Sequence, residues 1–176
     1  MVSRGNSNLK TEDGREIGGR TVEASAMLGY GAEVRSKSVY YNDRSEWHQG
    51  FHNFTILWTP DDVSFLVDGR KKQNIMQNAY GSRLSDMIGF SSSEIKVWNA
   101  GSPIAPFDQP FYVSLGVSVG GLRDFEDGAT SNGHVKPWTN TDPRALLKFW
   151  NQRSEWLPTW QKDTSLVVKS IKVTAL

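Results

Sequence analysis

The side chains that could do acid–base chemistry fall in three carboxylate groups: Glu12, Asp13 and Glu16; Asp61 and Asp62; and Asp124, Glu126 and Asp127. Paired carboxyl groups can serve as proton donor, proton acceptor or nucleophile when the fold holds them together. All three groups lie in stretches that read as turns or loops, where acids are ordinarily solvated. His48, His52 and His134 are dispersed and make no Ser/His/Asp arrangement or metal-spaced cluster. Cysteine is absent, which excludes disulfides, thiolate metal sites and a cysteine nucleophile. The other chemistry-bearing residues are aromatic: seven Trp in 176 residues, each able to fill a core or to present a flat stacking surface.

These residues have to be positioned by strands. Phe111–Gly121 alternates Phe111, Val113, Leu115, Val117 and Val119 with Tyr112, Ser114, Gly116, Ser118 and Gly120. That pattern predicts a strand with one apolar face and one nearly bare face, the latter suited to floor a ligand cleft. Phe54, Ile56 and Trp58, then Thr59-Pro60-Asp61-Asp62, then Val63, Phe65 and Val67 predict a β-hairpin that closes at Asp68-Gly69. Glu12-Asp13-Gly14 reads as a turn and Thr21–Tyr30 as a weakly alternating strand, with Gly29–Gln49 mostly loop. Ile95–Trp98 is the best short strand between residues 70 and 105, and Gly120–Asn140 reads as a long loop. Asp142 as cap and Pro143 at the first position predict one short helix that buries Trp150. A final strand carries Val167, Ile171, Val173 and Ala175 on one face. Together these elements predict an all-β sandwich with one short helix near the C-terminus.

The length suits a single domain spanning residues 1–176. A net charge of +1, with no Lys/Arg run longer than three, gives no reason to expect nucleic acid or an anionic membrane as a partner. No segment approaches the roughly eighteen apolar residues of a membrane span, and the N-terminus has no signal-peptide pattern. Nothing in the sequence calls for a cofactor or a metal.

Several blocks occur in a recognisable order. They are Phe51-His52-Asn53-Phe54 through Leu57-Trp58-Thr59-Pro60, Phe65-Leu66-Val67-Asp68-Gly69, and Pro106-Phe107-Asp108-Gln109-Pro110-Phe111-Tyr112 through Val119-Gly120-Gly121. Lys136-Pro137-Trp138, Phe149-Trp150-Asn151 and Trp156-Leu157-Pro158-Thr159-Trp160 follow. The set resembles the glucanase-like domain of the arthropod β-1,3-glucan recognition proteins, a branch of glycoside hydrolase family 16. The resemblance implies a concanavalin/laminarinase-like β-jelly roll with a glucan cleft, an N-terminally incomplete domain, and an extracellular place in innate immune recognition of microbial walls. Downstream immune proteases as partners are left unspecified.

Retaining glycosidases need two carboxyl groups about 5–5.5 Å apart. On the resemblance, the nucleophile position precedes residue 1, Met1 falls on the family's Met, and Val2 stands where the acid/base Glu belongs. Valine cannot transfer a proton, so the resemblance implies that no catalytic residue is present. Leu57 and Gly116 replace a Glu and an Asn common in the family. Binding then falls to Trp138, Trp98, Arg4, Asn6 and Tyr112, as stacking surfaces and hydrogen-bonding groups, with β-1,3-glucan as the expected ligand. Trp58, Trp150, Trp156 and Trp160 are expected in the core or at structural corners, and His52 in a structural role. Asn53-Phe54-Thr55 matches the N-glycosylation pattern but is expected inside a strand. A fragment of an endo-β-1,3-glucanase and a degenerate copy without a stable fold are the competing expectations.

Overall fold

The computed structural model describes residues 6–29, 33–77, 81–91, 98–118, 125–160 and 165–175. Their elements, in chain order, are β1 (Leu9–Lys10), β2 (Thr21–Leu28), β3 (Arg35–Asn42), β4 (Phe54–Trp58), β5 (Asp62–Val67), β6 (Arg70–Gln77), α1 (Leu84–Met87), β7 (Thr130–Ser131), β8 (His134–Val135), α2 (Ala145–Asn151) and α3 (Arg153–Trp156). Strands predominate and the helices are short. The chain forms two compact units, one of Met1–Val22, Asn42–Gly50 and Ser114–Val173, the other of Glu23–Tyr41, Phe51–Val113 and Thr174–Leu176.

In the first unit β7 pairs antiparallel with both β1 and β8. The β7–β8 turn is Asn132-Gly133, with φ of 51° and 82°, the pair of positive angles that a two-residue hairpin turn requires. This hairpin lies where the sequence reading expected only loop. The expected turn at Glu12-Asp13-Gly14 is present: Gly14 has φ 87°, the Thr11 hydroxyl bonds Asp13, and Arg15 N–H donates to Thr11 Oγ1 at 2.9 Å. Trp47 is buried, and its indole N–H donates to the Arg20 carbonyl at 2.9 Å.

α2 begins at Ala145, later than the cap-and-proline reading placed it, and Arg144 is its cap residue. The Asp142 carboxylate still satisfies an N–H at the helix entrance, that of Arg144 at 2.8 Å, and it also pairs with Lys148. A second helix, α3, and a 3-10 turn at Leu157–Thr159 follow directly. Phe149 stacks on Trp156, with centroids 4.7 Å apart and planes 9° from parallel, and the Trp156 indole N–H donates to the Phe149 carbonyl at 3.0 Å. That stack makes Phe149 the packed ring of the helix. Trp150, expected inside, is 56% exposed.

In the second unit β4, β5 and β6 form an antiparallel meander. The hairpin register runs from Phe54↔Val67 to Trp58↔Val63, as the alternation predicts. Thr59 closes its turn, with its N–H on the Asp62 carbonyl at 2.8 Å and its hydroxyl accepting Asp62 N–H at 2.9 Å. Asp68-Gly69, at φ 51° and 74°, joins β5 to β6.

β2 and β3 make a two-stranded sheet. Ala24, Ala26 and Leu28 are buried on one face with Val39 and Tyr41, whose hydroxyl bonds the Phe65 carbonyl. β3 corrects the expectation of a loop from Gly29 to Gln49. Its inward residues, Val39 and Tyr41, have the strand period, but the polar residues before them mask it.

Among the described residues, two predicted strands join no ladder. Phe111–Ser118, the described part of the Phe111–Gly121 stretch, joins no ladder, and Phe111, Tyr112, Val113, Leu115 and Val117 are all exposed. Residues 165–175 behave in the same way, with Val167, Ile171 and Val173 exposed. Alternation supplies two faces, but a strand also needs a neighbour for its N–H and C=O groups. Among the described residues neither stretch has one. Of the predicted strand Ile95–Trp98, residues 95–97 lie outside the described part, and Trp98 opens a 3-10 turn.

Candidate functional site

The second unit holds Trp98 and Tyr112. Trp98 lies edge-on to Phe90, with centroids 5.2 Å apart at 85°. Its loop is organised by one cation. The Arg83 guanidinium donates to the carbonyls of Trp98, Asn99, Gly101 and Ser102 at 3.0–3.2 Å. Asp108 clamps the same loop by accepting Ser102 N–H at 2.8 Å, and that bond holds its carboxyl below the ordinary value. A side chain at Gly101 would meet Ala105 Cβ and Asp108 Oδ2 at 2.7 Å, so the turn requires glycine. Trp98 is therefore a half-buried ring on a tightly bonded loop. Tyr112 is 90% exposed on the unpaired stretch. Beside it in the chain, Phe111 packs against Trp58 (5.5 Å) and Phe107 (5.4 Å); Trp58, expected in the core or at a corner, touches these rings but is 39% exposed.

The first unit holds Trp138 and Asn6. Trp138 is half-buried, edge-on to Phe149 at 5.6 Å, with the Lys136 ammonium 5.5 Å from its ring centroid. The Lys136 side chain is itself buried and donates to Asp127 and Asn140 at 2.6 Å and to the Phe125 carbonyl at 3.1 Å. Asn6 is half-buried and its carbonyl accepts Leu9 N–H at 3.0 Å. Arg4 and Val2 lie outside the described residues. Trp138 and Asn6 are thus placed in one unit, Trp98 and Tyr112 in the other.

The carboxylates divide in an informative way. Asp127 is held below the ordinary value first by the Lys136 hydrogen bond, and also by Asn140 N–H. Asp68 is lowered first by Asn53 N–H at 2.8 Å and next by His52, whose Nδ1 lies 2.8 Å from the carboxylate. Asp13 is lowered by the Thr11 hydroxyl and Asp142 by Lys148. Each of these groups is held ionised by its partners. A carboxyl that serves as a general acid needs the opposite shift. Glu126 is exposed, and Asp124 lies outside the described residues. His52 is a structural staple, as expected. Asn53 is exposed just ahead of β4 rather than within it, and its side-chain oxygen accepts the Thr55 hydroxyl at 3.2 Å.

One polar constellation escaped the sequence reading. On the outward face of β2 and β3, Glu23 Oε1 accepts hydroxyls from Ser38 at 2.6 Å, Ser25 at 3.0 Å and Tyr40 at 3.4 Å. Ser25 and Ser38 share a hydrogen bond of 2.8 Å. Met27 and Tyr40 are exposed on the same face. A carboxylate ringed by hydroxyls, with an exposed tyrosine ring and thioether beside it, can exchange hydrogen bonds with a polyol and cover its C–H face.

The profile of glycosyl hydrolases family 16 matches residues 15–133, more than half of the chain. The chain belongs to glycosyl hydrolase family 16. It is 40% identical over 167 residues to beta-1,3-glucan-binding protein 1 of Galleria mellonella, covering 88% of this chain and 32% of that protein. It is 36% identical to Gram-negative bacteria-binding protein 1 of Drosophila melanogaster, covering 99% of this chain and 33% of the relative. The beta-1,3-glucan-binding protein of Penaeus monodon is also 36% identical, over 92% of this chain and 42% of its own length. The chain thus spans about a third to two fifths of these relatives. No solved structure matches it.

Within this family-16 chain, the alternation that points to the hydroxyl cluster is Glu23-x-Ser25-x-Met27 against Ser38-x-Tyr40. It is a weak signal, because Ala24 and Ala26 make only a faint apolar face. Arg83 gives no signal at all, since its partners are backbone carbonyls. No group of three or more His, Asp or Glu among the described residues could hold a metal ion, and no described helix is long and apolar enough to cross a membrane.

Proposed function

We propose that this chain is a non-catalytic β-1,3-glucan recognition domain, built as a family-16 jelly roll and acting outside the cell on microbial wall polysaccharide. The observation that carries the reading is its 40% identity, over 88% of its length, to a protein named for binding β-1,3-glucan. The chemistry agrees. Asp13, Asp68, Asp108, Asp127 and Asp142 are all held ionised, and Val2 stands at the position where the family resemblance calls for a proton-transferring Glu. Sugar hydroxyls meet the Glu23, Ser25, Ser38 and Tyr40 cluster, and exposed rings such as Tyr112 cover the apolar faces of the sugars. Trp138, Trp98, Asn6 and Arg4 are the other residues proposed to contact the glucan.

A second reading, a fragment of an endo-β-1,3-glucanase acting with retention, is favoured by the hydrolase family that the chain matches. Retention of purified protein on insoluble β-1,3-glucan, with cellulose and chitin as controls, tests the first reading. Binding to β-1,3-glucan alone is expected, weakened about tenfold by Glu23→Ala through loss of a charge-assisted hydrogen bond. Equal binding to all three polymers, or to none, would remove the proposal. Release of new reducing ends would favour the second reading.

A further inference from the structure

The stack of Phe149 on Trp156 shapes the α2–α3 corner. It leaves Trp150 56% exposed and Trp160 44% exposed, with their ring centroids 6.5 and 5.7 Å from that of Trp156. The Arg153 guanidinium sits 5.3 Å from the centre of the Trp150 ring. Arg153 also lines, with Asn151, Ser154, Leu157 and Pro158, an open depression of about 530 Å³. This lining joins an apolar floor, Leu157 and Pro158, to an amide, a hydroxyl and a guanidinium. An open depression with these groups on its lining offers hydrogen bonds to a ligand that stays partly in solvent.

We propose that this corner is a second carbohydrate-contact platform, separate from the β2–β3 hydroxyl cluster, that takes one or two pyranose units of a polysaccharide. The inference rests on reading the chain as a glucan recognition domain. A pyranose has an apolar C–H face, which suits an exposed indole, and edge hydroxyls, which suit Asn151, Ser154 and the Arg153 N–H groups. Arg153 holds the Trp150 ring by a cation–π contact and so limits the rotamer freedom that binding would otherwise have to remove. An apolar peptide would leave three polar groups of the lining facing it unsatisfied. A small anion would use Arg153 alone and leave the indole idle. A polymer long enough to engage both contacts is held more tightly than an oligomer that engages one.

The test measures binding of two probes, a β-1,3-glucan hexasaccharide in solution and insoluble β-1,3-glucan, by the wild-type chain, Trp150→Ala and the surface double variant Asn151→Ala/Ser154→Ala. Loss of the stacking partner is expected to weaken retention on the polymer about tenfold. Trp150→Phe is expected to restore most of it. Hexasaccharide binding should persist in all three variants through the hydroxyl cluster. The double variant removes no ring packing, so it serves as the probe if Trp150→Ala does not unfold cooperatively. Unchanged polymer retention in a folded Trp150→Ala or in the double variant would overturn the platform while leaving glucan recognition standing. Failure of the wild-type chain to bind either probe would overturn both.

Discussion

β4–β5 and the stretch Phe111–Ser118 both place apolar residues at alternate positions, and they end differently. Phe54–Trp58 finds its partner across the short turn Thr59–Asp62, and every residue of β4 has a cross-strand neighbour. Phe111–Ser118 has no ladder among the described residues; its apolar side chains are exposed, as are Phe54, Ile56 and Trp58, so the difference lies in the pairing. Closing a short loop costs little chain entropy, whereas a neighbour distant in sequence must be brought in against a larger loop-closure term. Alternation therefore fixes which side chains share a face. It does not supply the strand next door.

The sharpest way to break this comparison is to place the same charge at matched positions. Val67 is 2% exposed in β5 and Val113 is 65% exposed in the unpaired stretch. Val67→Asp buries an unpaired carboxylate and is expected to cost about 3 kcal/mol or more. Val113→Asp should stay within about 0.5 kcal/mol of wild type. Urea denaturation of the two variants measures the difference, and equal losses would mean that Val113 is buried in a ladder after all.

Glycines in the same two regions give a smaller contrast. Gly69 turns the β5–β6 hairpin at φ 74°, and a methyl group added there would meet no atom within 4 Å. Gly69→Ala therefore carries backbone strain alone, about 1 kcal/mol. Gly116 also has open space but no positive φ. Gly116→Ala should be neutral or slightly stabilising through the unfolded chain. A cost at Gly116 as large as at Gly69, measured by the same urea titration, would show a contact that the exposed stretch does not have.

The smallest effect sharpens the account of why the hairpin holds. Asp68 is lowered below its ordinary value of 3.8 by Asn53 N–H and then by His52. A depressed folded-state value means that its contribution to stability is complete above the unfolded aspartate value and fades as pH falls through the lower folded-state one. The urea midpoint should therefore drop below about pH 4. Asp68→Asn, which tolerates the positive φ, should flatten that part of the pH profile. A profile unchanged by the substitution would assign the acid sensitivity to other carboxylates.

What could be read from the sequence follows the same division. The β4–β5 hairpin, the Glu12-Asp13-Gly14 turn and the structural part of His52 all depend on neighbours within a few residues or on one tight turn. The β7–β8 hairpin is not among the expected elements: its strands are only two residues each and carry too little pattern, so Asn132-Gly133 reads as part of a long loop. Trp150 is misplaced by its spacing, because helical period cannot say which of two adjacent rings, Phe149 or Trp150, finds a partner; Trp156 decides it. Arg83 and the Glu23 cluster depend on long-range backbone placement, on which residue types say nothing. Trp138 is legible as important, yet its contacts with Lys136 and Phe149 make it as much a packing residue as a stacking surface.

This family-16 chain is proposed to hold β-1,3-glucan without cutting it. Calorimetric titration of the chain with soluble β-1,3-glucan, with reducing ends counted in the same samples, tests both halves at once. Saturable binding heat with no new reducing ends is the predicted result. Absence of binding heat from a cooperatively folded chain, or a steady rise in reducing ends, would contradict it.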